Sequence, residues 1–376
     1  MPKISVIIPV YNTKPYLEQC LKSVTEQTFT DLEILCVDSS STDGSSLELA
    51  RLAQQDTRIK VFTVSHLGPG NGRNKGLEEA RGKYILFLDS DDFLAPTACA
   101  ELYEVSEREN LDVATADFYE YHEQTGKVTP HSKALELACK YSLDVATGDG
   151  PDEFAKLAFA SPFVWLKLMR RSVIENAHLR FPTGAAEDVP FCVLLLVCCK
   201  KARVLEGHFL QYYRIGRTGN ISSNGSKMVL DGVKNFGILA EKLRKYGVLE
   251  QVKETYWFNF MVLLIGDERL FVGRLGNVSS DTVKQAYDLI RPQIESLDLK
   301  LFANRNAMFR WKVRHFKQAV LQNDLKFPRR LRKIRNILMI VLNPWYKLKS
   351  RLNPKKIKQT LSKLNKNKKK NIIYKK

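Results

Sequence analysis

The sequence predicts an α/β fold, a parallel sheet with helices on both faces, followed by a helical region and a basic tail. Three observations carry this. Strand and helix patterns alternate four times before Asp89. The run Asp89-Ser90-Asp91-Asp92 stands directly behind a short apolar strand pattern, and open α/β sheets bind ligands at the carboxyl ends of their strands. Beyond residue 226 apolar residues recur at three-to-four spacing, and from Leu325 to Lys376 there are 19 Lys or Arg and no Asp or Glu.

The first strand pattern is Lys3–Val10 (KISVIIPV), and Pro9-Val10-Tyr11-Asn12 stops it ahead of a helix over 15–27. Glu33–Val37 forms a second strand that closes at Asp38, and the polar loop Ser39–Ser45 leads to a Ser45/Glu48 capping box that opens the next helix. A third strand over 58–64 runs into Gly68-Pro69-Gly70-Asn71-Gly72-Arg73-Asn74, expected as a flexible loop before a helix over 75–81. Gly82–Leu88 is the fourth strand and delivers the carboxylates of Asp89, Asp91 and Asp92. Hard cations take oxygen ligands, commonly one or two carboxylates plus substrate phosphates, so this spacing points to a divalent metal with a diphosphate. Further on, Glu187-Asp188-Val189-Pro190 opens an apolar helix over 191–199. Pro is tolerated in a first turn and a helix N-terminus favours an anion, so Asp188 is expected to be ionised and able to accept a proton.

Length and composition allow more than one domain: residues 1–220, a helical region over 221–324 and the basic tail over 325–376. Helix patterns cover 227–246, 250–270, 281–295 and 304–322, and Gly216–Gly225, rich in Gly and Ser, is expected to be a mobile loop. The whole chain has 59 basic and 41 acidic residues, so outside the tail the balance is 40 against 41. Such a tail reads as an anchor for an anionic membrane surface. Its apolar stretch Ile334–Trp345 is too short to span a bilayer and suits the interface. Nucleic acid fits less well, because Leu338-Met339-Ile340-Val341-Leu342 has no use on a duplex. Seven cysteines show no metal-ligand spacing, and their odd number without a signal peptide points to a reducing cytoplasm. The six histidines are scattered and carry no evident chemistry.

Val6-Ile7-Ile8-Pro9-Val10-Tyr11-Asn12, Val37-Asp38 with Ser41-Thr42-Asp43-Gly44, Gly72-Arg73-Asn74-Lys75-Gly76 and Phe87-Leu88-Asp89-Ser90-Asp91-Asp92 together resemble the successive motifs of the family-2 glycosyltransferases. Val164-Trp165-Leu166-Lys167-Leu168, Phe181-Pro182, Glu187-Asp188-Val189-Pro190-Phe191 and Tyr212-Tyr213-Arg214 resemble that family's bacterial polysaccharide branch, so the likeness covers residues 1 to about 220. It implies the A-type glycosyltransferase fold with a Rossmann-like sheet. It also implies inverting transfer from a nucleotide-sugar, expected to be a UDP-sugar, to a hydroxyl of a growing polysaccharide or lipid-linked glycan, with Mg²⁺ or Mn²⁺. By the same resemblance Pro9, Tyr11, Asn12, Asp38, Arg73, Asn74, Asp89 and Ser90 contact the donor, and Asp91 and Asp89 hold the metal, with Asp92 adjoining as a possible substitute ligand. Asp188 is the base beside Glu187, and Trp165 and Lys167 meet the acceptor. Asp38 would accept from the uracil imide, although Ser39 and Ser40 stand where the family usually has an acid and a glycine. Arg73 would pair with phosphate or stack on the base, and Asn74 would bond the ribose or cap its helix. The helical region would frame the acceptor cleft, and the enzyme would sit on the cytoplasmic face of the membrane. Two other readings are a catalytically silent nucleotide-sugar-binding protein, disfavoured by intact Asp89, Asp91 and Asp188, and a nucleotidyltransferase, which would commonly show a Gly-rich phosphate loop in place of Pro9-Val10-Tyr11-Asn12.

Overall fold

The computed structural model describes residues 1–131, 158, 163–217, 225–266, 274–305 and 307–334. Its first part follows the predicted alternation: β1 (Ile4–Val10), α1 (Lys14–Thr25), β2 (Leu32–Asp38), α2 (Ser45–Ala53), β3 (Ile59–Thr63), α3 (Pro69–Glu79) and β4 (Tyr84–Phe87). These four strands pair in parallel in the order β3-β2-β1-β4. β1 and β2 are buried along their whole length, as expected for strands covered on both faces.

The sheet does not stay parallel. It continues through β5 (Phe93–Leu94), α4 (Ala98–Glu109), β6 (Val113–His122), β7 (Val128–His131), β8 (Lys167–Arg170), α5 (Arg171–Asn176), α6 (Asp188–Cys198) and β9 (Ala202–Ile215). Among the described residues the order is β3-β2-β1-β4-β8-β6-β9-β5, with β7 on β6. β8 lies antiparallel between β4 and β6, which ends the parallel run. β9 is long and parallel to β6, but the register slips at Ala116, Asp117 and Phe118. There Asp117 Oδ2 accepts from Gly207 N at 2.9 Å. A bulge of this kind bends the strand. The far end of β9 pairs antiparallel with β5, Phe93 opposite Tyr212, directly behind the Asp89–Asp92 turn.

Two local expectations change. α3 begins at Pro69, so most of the expected loop is helix. Pro suits the first helical position, and the glycines serve close packing rather than flexibility. A Cβ at Gly76 would lie 2.2 Å from Ile7 Cγ2, and one at Gly70 would lie 2.6 Å from the Pro182 carbonyl oxygen. At α2 the N-cap is Gly44, not the Ser45 of a Ser45/Glu48 box, and Asp43 before it takes the first N–H: Asp43 Oδ1 accepts from Ser45 N at 2.9 Å and Oγ at 2.6 Å, and its Oδ2 accepts from Lys14 N at 3.0 Å. Glu48 pairs with Arg51 instead.

The helical region consists of α7 (Gly225–Lys245), α8 (Leu249–Ile265), α9 (Ser280–Glu295) and α10 (Ala307–Leu321). One apolar core runs from Ile7, Leu35 and Phe87 of the sheet through α6 to Phe260 and Phe316, so these helices share the sheet's core by way of α6. The opposite sheet face is covered by Leu17, Cys20, Leu49 and Leu102. Trp257 and Phe260 are buried in the first core. Phe327 and Leu331 are buried there too, so the first turns of the basic segment belong to the folded unit. The remainder of that segment, from 335 with the Leu338–Trp345 stretch, lies outside the described residues, as do 218–224 of the expected mobile loop.

Candidate active site

The carboxyl ends of β1 and β2 are stitched together by their own loop. Asn12, with φ of 51°, uses Oδ1 to accept from Thr42 N at 2.8 Å, while its N–H donates to Ser41 Oγ at 3.0 Å. Asp38 is buried and accepts from Ser41 Oγ at 2.5 Å and Ser46 Oγ at 2.6 Å. Ser40, one of the two departures from the family pattern, adopts φ of 58° and donates from Oγ to the Val64 carbonyl at 2.9 Å. Pro9 sits inside β1 opposite Val37, with its Cβ 3.3 Å from where a side chain on Gly72 would begin. Tyr11 is 40% exposed and stacks on His66, ring centroids 3.6 Å apart. His66, which the sequence left without a role, thus adds to an aromatic platform at the sheet edge.

The Asp turn divides its carboxylates between two directions. Asp89 Oδ1 accepts from Arg73 Nη2 at 2.7 Å. Asp91 Oδ2 accepts from Arg217 Nε. Asp92 faces inward: its two oxygens accept from Arg214 N at 2.8 Å and Gln211 Nε2 at 3.1 Å, and it is only 1% exposed. Ser90 is buried as well and shares a 2.8 Å bond with Thr13 Oγ1, so it faces the fold rather than a donor. Burial and neighbouring Asp89 push the Asp91 carboxyl up against the pull of Arg217. Burial, then Asp91 and Asp89, push Asp92 well above the usual carboxylate range. Crowded carboxylates of this kind are what a divalent cation relieves. Among the described residues no three or more His, Cys, Asp or Glu side chains converge on one point. Asp89 and Asp91 therefore fit a hard cation that takes its other ligands from phosphates and water.

Arg214 and Arg217, supplied by the end of β9 and the residues after it, complete this side. Arg214 donates from Nε to the Asp91 carbonyl at 2.6 Å and from Nη2 to Gln19 Oε1 at 2.5 Å, and its guanidinium lies over the rings of Tyr16, Tyr121 and Phe93 at 4.8, 5.0 and 5.6 Å. It also pairs with Glu123. The Tyr-Tyr-Arg pattern marked Arg214; no pattern marked Arg217 or Gln211, because their roles depend on the curl of β9.

Arg73 links the two halves of the site. Its guanidinium is buried, donating to Asp89 at 2.7 Å and to Glu187 Oε1 at 2.5 Å. Burial works against its charge, but Asp89 and Glu187 more than offset this and hold it protonated. The sequence expected this side chain on a phosphate or a base; in the structure both faces of its fork are taken by carboxylates. Asn74 likewise neither caps α3 nor points to a ribose: it bonds the backbone of Phe181 in both directions, each at 2.9 Å. That bond draws the 181–187 segment onto α3. From the other side Asp231 Oδ2 accepts from Ala185 N at 2.9 Å and Asn235 donates to Ala185 O at 2.9 Å. Gly184 and Ala186, with φ of 91° and 57°, bend the chain into α6.

Asp188 is the first residue of α6, half-buried, and makes no ion pair among the described residues. Burial and neighbouring Glu187 push its carboxyl up to about 7, with Arg73 pulling the other way. The helix N-terminus alone predicted a fully ionised group; desolvation outweighs it. Glu187 is pushed up too, by burial against the pull of Arg73. Two expected acceptor residues are elsewhere. Trp165 is buried, stacked with Phe163 at 4.7 Å and Tyr213 at 5.3 Å. Lys167 is 2% exposed and donates to the Phe163 carbonyl, with burial lowering its pKa. Both are core residues behind the site rather than surfaces facing an acceptor.

Residues 5–176 match the family model described as glycosyl transferase family 2. An uncharacterized glycosyltransferase of Haemophilus influenzae is 31% identical over 260 residues, covering 69% of this chain and 94% of that protein. Glycosyltransferase EpsH of Bacillus subtilis is 36% identical over 193 residues, 50% of this chain and 53% of EpsH, so the chain spans about half the length of that relative. Among solved structures, residues 1–349 of Staphylococcus aureus TarS in complex with UDP-GlcNAc share the fold, with a TM-score of 0.68 at 19% identity over 88% of this chain and 90% of that one. The curled mixed sheet with its flanking helices is the A-type glycosyltransferase fold, and the chain belongs to glycosyl transferase family 2.

Proposed function

We propose that the protein is an inverting glycosyltransferase that moves a sugar from a UDP-sugar to a hydroxyl of a growing polysaccharide or lipid-linked glycan. The observation that carries this reading is Asp188. It is a carboxyl with a pKa of about 7 at a helix N-terminus, joined through Glu187 and Arg73 to the carboxylate of Asp89. A general base works best when its pKa lies near the working pH. Asp188 takes the acceptor proton as the hydroxyl oxygen attacks the anomeric carbon, and the bond to the diphosphate oxygen breaks on the opposite face. Glu187, clamped by Arg73, holds the segment that carries Asp188. Asp89 and Asp91 would hold Mg²⁺ or Mn²⁺, which when bound would neutralise charge on the departing diphosphate. Asp92, turned into β9, keeps the turn in place. Tyr11 and Asp38 line the nucleotide end of the sheet edge, and TarS, bound to UDP-GlcNAc, supports uridine as the base. The basic segment after 334 would hold the enzyme to the anionic inner leaflet of the membrane.

The test is slow hydrolysis of a panel of nucleotide sugars with Mn²⁺, repeated in chelator. The reading expects turnover of one UDP-sugar that chelator removes. Undiminished turnover in chelator would discard the metal, and tight donor binding without turnover under any condition would favour a silent binding protein.

A further inference from the structure

We propose that the exposed face of α10, with the first residues of the basic tail up to 334, is a docking surface for an anionic lipid bilayer, distinct from the part of the tail beyond 334. One side of α10 is buried through Phe309, Val313, Phe316 and Val320. The other side exposes Met308, Trp311 and Leu321, at 36, 37 and 41%, beside Arg310 and Arg314. These positions lie on the half of the helix turned away from the core, where Met308, Trp311 and Arg314 follow at three-residue steps, Arg310 and Arg314 are four apart, and Arg314 and Leu321 seven. α10 contains no Asp or Glu. Past it Lys326, Arg329, Arg330, Arg332 and Lys333 are exposed, with Ile334 at 38%. From Arg305 to Ile334 there are ten Lys or Arg and a single acid, Asp324, which is paired with Arg330.

The mixture decides the partner. Cations alone would suit any polyanion, but an exposed Trp, Met and Leu among them gain nothing on a duplex. A second copy of the same surface would set Arg against Arg. An anionic leaflet satisfies both halves: lipid phosphates meet the arginines, and the ring of Trp311 sits at headgroup depth with Met308 and Leu321 at the acyl boundary. Among the described residues no helix is long and apolar enough to cross a membrane, so the contact lies in the interfacial plane.

The experiment uses the full chain with Trp345→Phe, in which Trp311 is the exposed indole, since Trp165 and Trp257 are only 6% and 8% exposed. Vesicles of phosphatidylglycerol or phosphatidylcholine with brominated acyl chains are the probe. The expected result is quenching and a blue shift of Trp311 on phosphatidylglycerol alone, and partitioning weakened about fivefold by Arg314→Gln, the factor equivalent to about 1 kcal/mol per basic residue. Sedimentation with vesicles while Trp311 stays unquenched would overturn the proposal and leave the tail as the anchor. Equal or tighter binding to duplex DNA at the same salt, or self-association that shields Trp311 without lipid, would overturn it as well. UDP-sugar hydrolysis without vesicles should be unchanged in Arg314→Gln. A chain that fails to hydrolyse any donor yet shows the quenching would count against the catalytic reading and not against this surface.

Discussion

Replacing Arg73 with Gln removes the cation shared by Asp89, at 2.7 Å, and Glu187, at 2.5 Å. Stability falls first: removing one partner from a buried ionic cluster costs about 3–5 kcal/mol, an upper bound here because Glu187 can take up a proton instead. The effect on turnover is more specific. Arg73 is the cation that draws the Asp188 carboxyl down, against burial and Glu187, to about 7. An opposite charge a few ångströms away moves a carboxyl by about 1–3 pH units. A rise of about one unit would cut the ionised share of Asp188 at pH 7 from about one half to about one tenth, a loss of about fivefold in kcat. Since the base must be deprotonated to act, a raised pKa moves the acid limb of the profile to higher pH, and activity returns near pH 9. Arg73→Lys keeps the charge without the fork, so its limb should stay near the wild-type position while kcat drops. The measurement is kcat against pH for the three proteins, with circular dichroism to confirm folding. A folded Arg73→Gln protein whose acid limb coincides with that of the wild type would refute the electrostatic link.

Four further outcomes follow from the same geometry. Asp188→Asn should cut turnover about 10²-fold or more with donor affinity nearly intact. Because a carboxyl with a raised folded-state pKa costs stability as pH climbs from about 4 to 7, the same variant should melt above the wild type at pH 8, by at most about 4 kcal/mol for a shift of about three units, and level with it near pH 4; identical shifts at both pH values would contradict the assignment. Asp91→Ala should keep its melting temperature and lose cation-stimulated turnover, whereas Asp92→Ala should lose about 1–3 kcal/mol, since it strands the Arg214 N–H and the Gln211 amide; the reverse pattern in thermal melts would exchange their roles. Gly76→Ala places a Cβ 2.2 Å from Ile7 Cγ2 and should cost about 1–3 kcal/mol, and a neutral denaturation curve would show that α3 can slide on β1. Truncation after Asp324 removes buried Phe327 and Leu331, worth about 2 kcal/mol each, so it should melt below truncation after Ile334; equal melts would mean that those side chains do not pack.

The sequence by itself determined the parallel half of the sheet and the positions of its three loops. Period and punctuation are local: an apolar strand, a stop at Asn12, Asp38 or Asp89, and a helix behind it can be read without knowing the neighbours. It also marked the candidate carboxylates, because Asp89, Asp91, Glu187 and Asp188 stand at strand or helix ends, where side chains face out of the layers. It misread the groups whose partners are distant in sequence. Arg73 and Asn74 are an arginine and an asparagine in any window; only the approach of Phe181 and Glu187, more than 100 residues away, turns them from ligand contacts into braces. Trp165 and Lys167 carry the marks of a sugar site, yet Phe163, Tyr213 and the Phe163 carbonyl enclose them. Asp92 and Asp91 are adjacent and chemically alike, and β9, arriving from residue 211 onward, decides which one is buried. The pKa of Asp188 belongs to the same class: a helix start lowers it and can be read locally, while desolvation raises it and exists only once the core has closed.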